Sequence, residues 1–281
     1  ITATGQVVDL DNTSNDFEVI TFGSSAAVSS VEFVDTDDVD IGTSQSSNDF
    51  TVTAGGDVDD TSTITVGGDL SVTTSAGNGA ITLDGLKVDG TIALVSGNGA
   101  ATVVNDVNLK FATSTVGGVL TATATEGNIS QGGSTVLTVT GNTSLTTSQS
   151  GGTITLDQTN RFGLTGSGTL ALNTSGSTGD AIIDNGTTKL DMAASSVGGD
   201  LTLTSGHADG IVDSGTVTVT GNLTLENDVS GGNITMGTLA VDGWIAITTS
   251  GSSSAVTVAN DVGLILATSN MGGTFSGEAD S

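Results

Sequence analysis

Between Thr216 and Ile247 apolar residues alternate with small polar ones: Val217 and Val219, Leu223 and Leu225, Ile234 and Met236, Leu239 and Val241, Ile245 and Ile247. Alternation at period two sends the apolar set to one face of a strand and the Thr and Asn set to the other. Each run stops after a few residues at Gly, Asn or Asp, which predicts short strands and frequent turns. The pattern returns after about 22 residues, so the chain is a repeat protein.

From Thr63 onward the register is plain. Ile64 and Val66 precede Gly67-Gly68, Leu70 and Val72 follow, then Ile81 and Leu83, and Leu86 and Val88 open the next round. Glycine anchors recur at Gly68, Gly90, Gly118, Gly141, Gly168, Gly199, Gly221, Gly243 and Gly273, spaced by 22 to 31 residues. A unit of 22 residues holds three short strands, and the longer units read as the same coil with an extended turn. A longer period lies above the coil. Thr113–Thr123 recurs as Ala194–Thr204, Val88–Leu94 as Val241–Ile247, and Asn105–Gly118 as Asn260–Gly273.

Residues 1–62 are less regular. Acidic residues concentrate in Asp9–Glu18, Asp35–Asp40 and Gly55–Asp60, together with Phe17, Phe22, Phe33 and Phe50. This stretch reads as an acidic, β-rich N-terminal cap or assembly segment, and residues 63–281 as the repeat region proper.

Three short strands per coil without helical periodicity fit a propeller or a solenoid. Propeller blades are longer, at roughly 40–50 residues, and carry aromatic signatures. With 42 Gly, no Pro and 3% aromatic residues, this chain builds a narrow core from Val, Ile and Leu. The expectation is an all-β parallel β-helix, or β-solenoid, right-handed, with about ten or eleven coils and a rod on the order of 50 Å long at the spacing of paired strands. Gly and Asn at the corners are expected to supply positive φ.

Charge narrows the partners. Four basic against 31 acidic side chains leave a formal net charge of -27, which disfavours nucleic acid and anionic membrane surfaces. No Cys is present, so disulfides and thiolate metal sites are out, and no apolar run is long enough to span a bilayer. Ile1 opens directly in strand-like sequence without a signal peptide, which reads as a processed or excised region.

The order V-x-V-x-G-N-L-x-L…G-G-x-I-x-L in Val217–Met236 resembles the repeat region of filamentous-haemagglutinin-like proteins, with related repeats in autotransporter passengers. That family comprises secreted bacterial β-helix adhesins of two-partner secretion systems. The resemblance covers about residues 63 to 275 and implies an extracellular or cell-surface β-helix shaft. The family's secretion-domain motifs contain Asn-Pro, and this chain has no Pro, so the resemblance extends to the shaft alone.

Candidate chemistry is sparse. Lys87, Lys110, Arg161 and Lys189 fall on different coils, and His207 lies near Asp209 and Asp213 in a turn. A carbohydrate-active enzyme on this fold would need clustered carboxylates with a basic partner, and the sequence does not set one out. Asp9, Asp11, Asn12 and Asp16 offer a set of oxygen ligands for calcium, without the glycine and terminal glutamate of an EF-hand. No other cofactor is expected. The function expected is a non-enzymatic extracellular structural protein, the subunit or shaft of a bacterial surface fibre that self-associates head to tail. The alternative is a monomeric adhesin that binds a glycan or host protein through its turns.

Overall fold

The computed structural model describes residues 1–75 and 77–279. Every element among them is a strand, every pairing is parallel, and the coils stack into a β-solenoid. One sheet carries twelve rungs, from Val7–Leu10 through Ser30–Val34, Phe50–Ala54 and Leu70–Thr74 to Ile245–Ser250. A second sheet takes the return strand of each coil. Inward positions form ladders, as in Phe50 on Leu70 on Ile92 and Leu201 on Leu223 on Ile245. Outward Thr51, Thr53 and Thr73 stay half-exposed beside them.

The ladders run through residues 62 and 63 without interruption. The acidic N-terminal stretch supplies rungs of its own, which brings the count above the ten or eleven read from the glycine anchors. Its core is aromatic: the rings of Phe22, Phe33 and Phe50 lie 5.4 to 6.2 Å apart and are fully buried.

Coils acquire and lose a third strand by a repeated device. Val19–Ile20, with Phe22 beyond it, is one segment, but the next coil covers it with two, Val39–Ile41 and Ser44–Ser46. Ser44 stands at the new corner, where its Oγ accepts from Phe22 N–H (3.0 Å) and donates to the Gly42 carbonyl (2.9 Å). Ser114, Ser195 and Ser269 repeat this geometry under Leu94, Leu172 and Ile247. A hydroxyl therefore accepts the bond from the one N–H that the corner leaves without a strand partner.

The opposite step uses an amide. Two-segment coils persist for three turns and then merge into one strand, which leaves the end of the last third strand uncovered. At Ala101–Asn105, the Asn105 Oδ1 accepts from Val88 N–H (2.8 Å) and its Nδ2 donates to the Val88 carbonyl (3.0 Å). Asn185 does the same for Phe162, and Asn260 for Val241. An asparagine side chain carries the donor and acceptor of a peptide, so it replaces the missing strand at its last residue. Asp35 occupies the equivalent place for Phe17, whose N–H donates to Oδ2 at 2.8 Å.

The sheet that splits alternates along the rod. The second sheet is split from Val39 to Val88, the first from Leu109 to Phe162, and the second again from Leu190 to Val241. This revises the glycine register. Gly68 and Gly90 precede unsplit strands of the first sheet, Gly118, Gly141 and Gly168 precede those of the second, and Gly199 returns to the first. The long spacings at Gly90–Gly118, Gly168–Gly199 and Gly243–Gly273 are thus changes of side and not extended turns. Partnered residues are 18 apart at Val28 and Ser46 and 27 apart at Thr143 and Leu170, shorter at both ends than the anchor spacings.

Positive φ is supplied at turns by other glycines, Gly151, Gly176, Gly231 and Gly251 among them, and by Ser134 where an Asn was expected, but not by the anchor glycines. Close approach decides them: a Cβ on Gly118 would stand 2.7 Å from the Gly99 backbone of the previous coil.

Candidate functional site

Where a third strand ends, the next coil drops a strand at that corner, and clefts lie beside the steps after Phe17, Val88 and Phe162. The step after Phe17 holds one of about 380 Å³, lined by Asp16, Glu18, Asp37, Asp38, Asp40 and Asp59. Beside the step after Val88 lies one of about 240 Å³, lined by Lys87, Asp106, Thr125 and Glu126. It shares Val107, Thr125 and Glu126 with a larger cleft of about 720 Å³ that runs along Asn108, Asn128 and Gln149. The step after Phe162 holds one of about 450 Å³ between Arg161, Leu164, Thr187, Thr188, Lys189 and His207, with Asp209 and Gly166 completing the wall. The clefts at these steps thus differ in chemistry: acidic after Phe17, of mixed charge after Val88 beside an amide-rich neighbour, and basic after Phe162.

The basic side chains do fall on different coils, but stacking brings two of the four, Arg161 and Lys189, to one cleft with His207. Arg161 opens the short strand Arg161–Phe162 at the step, Lys189 sits at the turn into Leu190–Met192, and His207 follows Leu201–Ser205, so three successive coils bring them to one hollow. Lys189 Nζ also lies 3.5 Å from Asp191 Oδ2. The His207 ring is held in place: its Nδ1 accepts from Asp209 N–H (3.1 Å), so the neutral imidazole carries its proton on Nε2. Buried Asn227 donates to the His207 carbonyl at 3.1 Å and fixes the turn from below. Lys87 and Lys110 stand away from this cleft.

Asp213 does not join His207. Its carboxylate accepts from Gly237 N–H (2.8 Å) and Thr238 N–H (2.6 Å) in the next coil. Asp60 binds Asp84 and Gly85 N–H in the same way at 2.9 and 2.8 Å. Both carboxylates serve as corner ties between coils. Burial pushes the Asp60 carboxyl above the ordinary range, and burial also raises Asp59 and Asp184.

The four proposed calcium ligands are distributed. Asp9 lines a cleft with Glu32 and Asp49, Asp16 faces the acidic step, and Asp11 and Asn12 lie exposed in the turn between. Asn12 Oδ1 accepts from Ser14 N–H at 2.9 Å. Among the described residues no three His, Cys, Asp or Glu side chains are placed to hold a metal ion.

Fold and corner chemistry together define a repeat protein of the parallel β-solenoid class. A family model described as repeats of unknown function (DUF5649) matches residues 26–95, 97–167 and 178–242, and the chain belongs to this family. Each matched segment covers a merging strand, ending in Asp35, Asn105 or Asn185, and the three split coils that follow it. No curated protein and no solved structure matches the chain.

Proposed function

We propose that this chain is a non-enzymatic structural protein, a β-solenoid shaft of a bacterial extracellular or cell-surface fibre that associates head to tail. The observation that carries the reading is that its two end coils are of one kind. At the C-terminal end Ser269 opens a split of the first sheet, in the repeat position of Ser114. At the N-terminal end Asn15 donates to Leu10 and Val34 carbonyls (2.8 and 3.1 Å), as Asn160 donates to Leu156 and Asp184 in the last coil of such a split. Coils of this kind stack on each other inside the chain, where Leu109–Phe111 meets Ile129–Gln131 and then Ile154–Leu156.

The C-terminal face presents apolar side chains at positions that are buried in an earlier repeat. Phe111 and Leu120 are 0% and 1% exposed, whereas Leu266 and Phe275, at the same repeat positions, are 41% and 38% exposed. Unpaired parallel edges template the addition of further strands, and a heterologous contact that does not close gives a filament. The likeness of Val217–Met236 to filamentous-haemagglutinin-like shafts and the acidic, cysteine-free composition support the extracellular placement.

Negative-stain microscopy and sedimentation at moderate salt test it. Filaments are expected, with assembly rising with salt because each copy carries a net charge of -27. Separate short rods at every salt and protein concentration would overturn self-association. A second reading, an adhesin that binds through its lateral turns, is favoured by the cationic cleft.

A further inference from the structure

We infer that the cleft at Arg161, Lys189 and His207 is a binding site for a sugar that bears a single carboxylate, such as a terminal hexuronate. The inference rests on the adhesin reading and gives it a place and a ligand class.

The charge distribution is the first ground. The chain has four Lys and Arg residues and one His against 31 carboxylates, yet two of the four and the His line a single hollow. Lys189 shares its charge with Asp191 at 3.5 Å, which leaves the Arg161 guanidinium as the cation to which a ligand carboxylate would bind, inside a surface that otherwise repels anions. That combination selects by charge density. A polyanion brings many charges close to the surrounding carboxylates, whereas one carboxylate engages the guanidinium and the imidazole N–H with little of that cost.

The rest of the wall selects for hydroxyls. Thr187 and Thr188 offer donors and acceptors, and the Asp209 carboxylate accepts from O–H groups while repelling a second anion. Leu164, 44% exposed, adds an apolar edge for the face of a pyranose ring. An inorganic oxyanion uses the cations alone and is opposed by Asp209. A hexuronate uses every group, and a cleft of about 450 Å³ accommodates it with room for the next sugar.

The site is also preorganised. His207 is oriented through Nδ1 by Asp209 N–H, and its turn is tied by Asn227. Arg161 lies beside Phe162, whose backbone N–H and carbonyl are both held by the Asn185 amide. The His207 ring and the backbone beside Arg161 are therefore held before a ligand arrives.

The test is calorimetry and saturation-transfer NMR with methyl β-D-glucuronide, methyl β-D-glucoside and inorganic phosphate as separate probes, on the whole chain. Saturable binding of the glucuronide is expected, at least tenfold tighter than the glucoside. It should weaken tenfold or more in Arg161→Gln/Lys189→Gln and stay unchanged in Lys87→Gln/Lys110→Gln, with circular dichroism confirming the fold of both. Equal binding of glucoside and glucuronide would overturn the carboxylate assignment and leave the adhesin reading standing. Phosphate binding as tight as the glucuronide would overturn the sugar assignment. Failure of both sugars to bind, or full binding by the Arg161/Lys189 variant, would overturn the site itself.

Discussion

Replacing Asn105 with leucine isolates the device that lets a coil drop its third strand. Asn105 is fully buried and makes three bonds: from Val88 N–H (2.8 Å), to the Val88 carbonyl (3.0 Å) and to the Asn108 carbonyl (2.7 Å). Leucine has the same branched shape and number of heavy atoms, with somewhat larger volume, and restores none of them. Val88 is itself fully buried, so its N–H and carbonyl are both left without a partner. At about 1–3 kcal/mol for each stranded group, the two Val88 groups alone cost about 2–6 kcal/mol. Burying an aliphatic side chain in place of an amide returns about 1–2 kcal/mol. Asn105→Leu should therefore destabilise by on the order of 3 kcal/mol, against less than about 0.5 kcal/mol for a change at exposed Asn98. Urea unfolding gives the total. Stacked repeats need not unfold in one step, so amide hydrogen exchange supplies the local reading, with Val88 losing protection while coils beyond Thr143 keep theirs. A loss under about 1 kcal/mol with Val88 still protected would refute the idea that a side-chain amide replaces the missing strand.

Three further outcomes follow from the same geometry. Ser195→Ala removes the acceptor of Leu172 N–H (3.1 Å) and should cost about 1–2 kcal/mol in urea unfolding; an unchanged midpoint would mean that the corner hydroxyl is dispensable. Gly117→Ala would set a Cβ on the Gly97 carbonyl and force two coils apart, at a cost of roughly 2 kcal/mol or more and with faster exchange confined to those coils. Asp59, Asp60 and Asp184 have carboxyls raised by burial, so between about pH 4 and their raised values the folded chain holds more protons than the unfolded one. Stability then falls as pH rises through that window, and self-repulsion of the acidic surface acts in the same direction. At low ionic strength the melting temperature should be higher at pH 5 than at pH 8, with a smaller difference in Asp60→Asn; a lower value at pH 5 would contradict the assignment.

The three-coil block gives the repeat its functional grammar. Each block ends in a step, each described step after Phe17, Val88 or Phe162 has a cleft beside it, and the residue just before the last inward one is Asp16, Lys87 or Arg161. A chain built this way varies its side-chain chemistry at the steps while the ladders beneath stay the same. The cleft is a product of topology, and its side-chain chemistry is set by the few outward residues around it.

Alternation at period two was enough to place the strands and their buried faces, because a strand's inward set depends only on its own residues. Val217, Val219, Leu223 and Leu225 are fully buried, as their spacing requires. The recurrence of those runs also determined the solenoid, since a repeat too short to bury its own core must stack. Tertiary structure alone decided which sheet each run joins. The change of side at Asn105 or Asn185 depends on what the neighbouring coil presents, and a buried asparagine looks in the sequence like any turn residue. The same limit hid the cleft. Arg161, Lys189 and His207 are separated by whole coils, and parallel stacking brings residues about one coil apart into register, so only the stacked rod shows that they meet.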